Sequence, residues 1–504
     1  MARPLHPQLL PFVASEGDAW DDLKAAHLLQ RAGFGGTPAE LAKVRQMGME
    51  KAVDWLLDFP EAPIDEIQPG GGPDLSSIEG YPKNFNEQRK LFQGKTDQER
   101  MRLRQELQRG NREAMGKTMG WWMERMANGP YPMHEKLVLF WHGHFTTGAQ
   151  EERRASLMWQ QNELHRRMAA GNFREYVRQI SRDPAMLDYL NNSQNKKEHP
   201  NENYARELME LFTLGRDQYT ENDIKEAARA FTGWAHDGDE YIFRARDHDA
   251  GVKTFQGRTG NFSGDDVIEI ILQNKACAPY IAGRLWNYFA FEPAEGDKEM
   301  LESLGNVMRE NGWEMRPLLR TLLTSRAFYS PRAMGTQIKS PIQLVVGTVR
   351  MLDLDFPAFR LLHSQLNQMG QVPLAPPNVK GWPGGRLWIN TSTLFVRYNT
   401  GVWLTGGEIP ALIASRRGGA ERTVKRADRR EAEQNGGVVL RPEIAALDTP
   451  EQVADYWVRR LIQRPVEAEK IKTLAASLGG NAKNEAAVKK MIQLIVSMPD
   501  YQLC

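Results

Sequence analysis

Cysteine is nearly absent: the 504-residue chain holds two, Cys277 and Cys504. Two cysteines exclude a disulfide framework, and the absence of any C-x-x-C excludes a cysteine zinc finger. An excess of charge of one sign is also missing, because 65 Lys and Arg stand against 64 Asp and Glu. No global field points to nucleic acid or to a membrane surface, and no basic stripe with interleaved aromatics occurs. No apolar run approaches the roughly 20 residues of a membrane span. The first residues, MARPLHPQLLPFVASEGDAW, contain three prolines and no apolar h-region, so no signal peptide is read and a cytoplasmic location is expected. Several catalytic signatures are missing as well. There is no G-x-S-x-G elbow, no His-Glu-x-x-His, no Glu-x-x-His and no nucleotide-cofactor fingerprint. A serine hydrolase, a zincin, a ferritin-like di-iron bundle and a nucleotide cofactor are therefore unsupported.

What is present is helix. With 41% hydrophobic residues the chain can bury a large core. AWDDLKAAHLLQRAG and PAELAKVRQMGMEKAVDWLLDF predict two helices over residues 17–58, with Thr37 as N-cap and Pro38 at the first helical position. The glycine run 33–36 between them, preceded by Arg31, reads as a tight turn or as a phosphate cradle. Residues 84–128 are helical and charged, and 150–182 predict a further amphipathic helix. Residues 264–350 repeat Leu, Ile and Met at helical spacing. The expected fold is all-α, with orthogonally packed helices, long loops and a short β-hairpin-like piece near 240–258. Residues 1–400 are expected to form the main domain and 401–445 a charged mobile insert. Residues 446–504 are expected to form a small helical module packed on the main domain.

Polar residues concentrate in two segments. In NENYARELMELFTLG, Glu202, Asn203, Arg206, Glu207 and Glu210 fall within about 140° of helical arc. In PMHEKLVLFWHGHF, His142 and His144 sit in an otherwise apolar helix, about 200° apart if the helix continues and on one face if the chain becomes extended. Glu207, Glu210, Arg206 and Asn203 are the candidate catalytic residues. Candidate metal ligands are His142, His144, Glu202, His248 and Asp249, a nitrogen and carboxylate set suited to Zn, Mn or Fe. Trp382, Lys380, Lys253 and Arg31 are candidate substrate contacts. Trp382 and Lys380 lie in the long loop LNQMGQVPLAPPNVKGWPGG, a kind of segment that is often functional.

The segments RAGFGGTP, KLVLFWHGHF, GNFREYV, DPAMLDYL, NENYARELMELFTLG, ARAFTGW, DHDAGVKTFQG, KSPIQLV and PPNVKGWPGG resemble, in this order, the bacterial family catalogued as domain of unknown function 1800. The resemblance spans roughly residues 20–500 and implies an all-helical fold. It transfers no catalytic residue. Many members of that family look secreted, and many are encoded beside a family related to sulfatases and alkaline phosphatases, which the resemblance offers as a partner.

Two functions are consistent with these residues. One is a metal-dependent enzyme acting on a small polar or sugar-like substrate. Its cleft would lie between helices 134–145 and 202–215, roofed by the loops 246–258 and 376–390. The other is a helical binding or assembly protein in which Arg206 pairs with Glu202 or Glu210 and the polar face is a structural network.

Overall fold

Side-chain caps and left-handed residues set the helix boundaries. Thr37 caps Pro38–Met47, with Glu40 reaching back to close a capping box. The same device opens Asp97–Asn128 at Thr96, Glu221–Ala230 at Thr220 and Thr391–Leu404 at Asn390. The computed structural model describes residues 4–68, 70–406 and 446–504. These form a mainly α-helical architecture with two small two-stranded antiparallel sheets. The insert expected at 401–445 lies, beyond Gly406, outside the described residues.

The residues 17–58 form three helices rather than the two expected: Asp22–Ala32, Pro38–Met47 and Met49–Leu57. Gly48 takes φ +76°, a conformation that ends one helix and re-aims the next. The helix expected over 150–182 is likewise two, Ala155–Arg167 and Phe173–Ile180, the second capped by the Asn172 side chain. The β-like piece near 240–258 is a pair of hairpins. Trp234–Asp237 pairs with Glu240–Phe243, and Lys253–Phe255 with Arg258–Gly260. Gln256 and Gly257 both hold positive φ, 45° and 73°, the two-residue turn that matches strand twist.

Two apolar clusters fill the interior. One gathers Leu28, Val53, Leu137, Phe140, Tyr176, Ile271, Trp286 and Leu319. The other joins Trp122, Val138, Val345 and Val396 to Val453, Trp457 and Ile492. The helices Pro450–Leu461 and Glu485–Ser497 thus share a core with elements before residue 400.

The helix Pro132–His144 serves both clusters, so it is buried on every side. Its acidic residue is neutralised in place. Glu135 accepts from Arg125 Nε at 2.7 Å, from Arg166 Nη2 at 3.0 Å and from Trp122 Nε1 at 3.0 Å. Burial alone would raise this carboxyl, but the two guanidiniums outweigh it and hold it at about 2.

Candidate functional site

The polar helix does not keep the face its sequence predicts. Asn203–Glu207 is α-helical, and the chain then widens into a π turn over Leu208–Thr213. A π turn shifts every later side chain around the axis, and such turns, rare overall, occur frequently at functional sites. Glu210 accordingly turns to Arg216 Nε at 3.0 Å and Tyr219 Oη at 3.2 Å. Arg206 pairs with Glu202 at 3.2 Å and with both oxygens of Glu221 at 2.9 Å. The Asn203 amide donates to the Leu190 carbonyl at 3.2 Å and ties down the preceding loop. Glu207 is left without a hydrogen bond or ion pair among the described residues. Burial, and then Glu210, push its carboxyl up, against the pull of Lys380 and Arg206.

The two histidines diverge because the helix runs through His144. His144 turns its Nε2 to the Phe212 carbonyl at 3.0 Å, and Tyr280 Oη donates to the Leu211 carbonyl at 2.7 Å. Together they cap carbonyls at the end of the π turn. His142 faces the other way, against Trp122, His165 and Trp382, with ring centroids 5.5–5.7 Å apart. The Trp382 loop reaches it through a close backbone approach. Gly381, at φ +80°, lies where a Cβ would stand 2.2 Å from the Gly143 carbonyl oxygen. Burial keeps both rings neutral, each pushed down to about 3.

The remaining predicted residues occupy separate places. Asp249 is clamped by Arg229 Nε at 2.7 Å, His248 Nδ1 donates to the Thr232 carbonyl at 2.9 Å, and Lys253 donates to the Asp249 carbonyl at 2.6 Å. Arg31 is fully buried and donates to the Ala333 carbonyl at 2.5 Å. The structure therefore brings Trp382 to His142, Lys380 toward Glu207 and Lys253 to Asp249, but it does not gather the five expected metal ligands. Among the described residues no group of three or more His, Cys, Asp or Glu is placed to hold a metal ion.

A cavity of about 1310 Å³ opens elsewhere. Its walls are the segment 75–88, the helix Asp97–Asn128, the segment 149–156, and the first hairpin with Asp188 and Ser193. Asp188 Oδ1 accepts from Ser193 Oγ at 2.6 Å and from His236 Nε2 at 2.8 Å. His236 Nδ1 faces the Gly238 carbonyl at 2.9 Å. Both ring nitrogens meet acceptors, so only the imidazolium satisfies them. Burial would lower His236, but the hydrogen bond and charge of Asp188 outweigh it and raise it. Asp188 is correspondingly held down, against burial, by His236 and Ser193. Glu152, 7% exposed, lies within reach of the charges of this pair. Burial pushes its carboxyl up to about 7, with Asp188 adding to the shift and the Arg154 amide opposing it. Arg112 and Arg153 line the same cavity and form no ion pair among the described residues.

A family model described as protein of unknown function (DUF1800) matches residues 27–503. The chain belongs to this family. No curated protein and no solved structure matches it.

In this DUF1800 member the residues that sequence reasoning missed are Asp188, Ser193, His236 and Glu152. Asp188 stands in the segment DPAMLDYL quoted above and Ser193 follows it closely, whereas His236 is a lone histidine in a short strand. Nothing in local spacing links it to Asp188, 48 residues away, because the contact is made by the hairpin folding back.

Proposed function

We propose that this DUF1800 protein is an enzyme acting by acid–base chemistry on a polar, sugar-like substrate that carries negative charge. The observation that supports this reading best is the Asp188 carboxylate on the cavity wall, fixed by Ser193 and His236. Asp188 stays ionised while Glu152, buried within reach of its charge and outside the cavity lining, holds its proton until about pH 7. Two neighbouring carboxyls with values pushed apart are the usual division between a base and an acid. Arg112, Arg153 and Lys83 give the cavity cations for an anionic group, and Tyr81 and the exposed Phe85 give aromatic surfaces for a sugar ring. Zn, Mn or Fe dependence, expected from the sequence, is not required by this acid–base pair.

The test is turnover of uronic-acid, phosphorylated and sulfated oligosaccharides, followed by mass spectrometry. Product from the native enzyme and a loss of about 100-fold or more in Asp188→Asn support the reading. Binding without product, unchanged by Asp188→Asn but lost in Arg153→Ala, supports the second reading, a non-catalytic binding protein. That alternative is favoured by the ion pairs of Arg206 with Glu202 and Glu221 on the 202–210 face. Neither binding nor product overturns both.

A further inference from the structure

A second cluster of polar groups lies buried inside the protein, and none of its residues lines the cavity described above. It is built where the helices Pro132–His144 and Ala155–Arg167 face each other. His142 is 1% exposed and His165 and Gln161 are fully buried. Neither ring nitrogen of His142 has a hydrogen-bond partner, and the same is true of His165 Nε2 and Gln161 Oε1. Unpartnered buried polar atoms each cost about 1–3 kcal/mol, so several in one place point to something that satisfies them together.

Each group is oriented by a neighbour. The Gln161 amide donates through Nε2 to Asp183 Oδ1 at 2.6 Å and to Thr147 Oγ1 at 3.0 Å. Its oxygen is therefore turned away from both. His165 Nδ1 lies 2.6 Å from Tyr176 Oη. Donation from that nitrogen to the phenol leaves Nε2 as a bare lone pair, the arrangement usual for a metal-binding histidine. Gln161 and His165 are four residues apart and share one helix face. The rings of His142 and His165 are 5.7 Å apart between centroids, at 71°. An imidazole bound at about 2.1 Å sets a metal roughly 3.2 Å from its ring centroid, so two centroids near 5.7 Å subtend an angle of about 125° at the metal. That is slightly wider than the trigonal angle of about 120° and about 15° wider than a tetrahedral one.

We propose that His142 and His165, with the Gln161 side-chain oxygen, form a binding site for one divalent transition-metal ion of the Zn²⁺ or Co²⁺ kind. Imidazole ligands suit such borderline ions, and the amide oxygen adds a third neutral donor. His144 is not part of the set, because its Nε2 is committed to the Phe212 carbonyl. Trp382 covers the outer side of His142 and carries a buried, unpartnered indole N–H suited to a ligand water.

The experiment refolds the full chain from denaturant with chelator, removes the chelator, and titrates Co²⁺ and Zn²⁺. One equivalent of Co²⁺ with a visible d–d band, reduced at least tenfold in affinity in His142→Ala and in His165→Ala but kept in His144→Ala, is the result expected. X-ray absorption on the native protein loaded with Zn²⁺ gives a reading that needs no variant and should show two imidazole shells. No stoichiometric uptake, uptake equal in all variants, or a spectrum without imidazole overturns the proposal, ordered water alone then satisfying these groups.

Discussion

His144 Nε2 lies 3.0 Å from the Phe212 carbonyl oxygen, so a histidine that looks from the sequence like a ligand acts as the cap of a π turn. The carbonyl can only accept, so the ring must donate from that nitrogen. Replacing His144 by Ala leaves the carbonyl buried and unpaired. A loss of about 1–3 kcal/mol in urea unfolding is expected, together with faster amide exchange over 208–215. Unchanged stability would show that the turn holds without its cap.

Glu135 should be the most sensitive carboxylate of the core. It satisfies Arg125, Arg166 and Trp122 at once, and all four side chains are buried. Glu135→Ala strands two guanidiniums without water, and a cost of about 3–5 kcal/mol is expected. Arg206→Ala is the contrasting case. Its partners are partly or largely exposed, and thermal denaturation should register less than about 1 kcal/mol.

The cavity wall makes stability depend on pH with a definite sign. His236 is raised in the fold, so its contribution is complete below the unfolded value near 6.5 and is lost as pH rises through the folded value. Glu152 acts in the same direction. Between roughly 4.5 and about 7 the folded protein keeps a proton that the unfolded chain has released, so stability falls across that window. Asp188 works at the acid end, where its contribution disappears as pH falls through its depressed value. Urea unfolding from pH 4.5 to 8 should show the decline. Glu152→Gln should flatten it by an amount on the order of 2 kcal/mol. An equal slope in the variant would remove Glu152 from the account.

Gly381 is where the long loop meets the Pro132–His144 helix. At φ +80°, with the Gly143 carbonyl in the way, alanine is excluded twice over. Gly381→Ala should cost more than about 1 kcal/mol and raise hydrogen exchange in residues 376–384. Exchange confined to the native rate would mean that the two backbones can separate freely.

The helices were largely legible in the sequence because their caps are local: Thr37, Thr220 and Asn390 each announce a start within four residues. Gly48 was legible only as a glycine inside a helical pattern, and its positive φ is decided by how the two flanking helices pack. The site was less legible. A helical wheel through 202–210 assumes 3.6 residues per turn, and the π turn breaks that assumption between Glu207 and Glu210. The Asp188–His236 contact depends on tertiary folding of a hairpin, and the pairing of His142 with His165 depends on two helices meeting. No periodicity within one segment encodes either.

The large cavity draws its walls from segments that lie more than a hundred residues apart in the chain, from Tyr81 to His236. A molecule held there bridges those segments and so resists their separation, whatever happens to it chemically. By mass action, a ligand at a hundred times its dissociation constant adds about 2.7 kcal/mol to the free energy of unfolding. Melting temperature is therefore a detector for occupants of this cavity that needs no knowledge of the reaction, and compound libraries can be ranked on it before any assay of turnover exists.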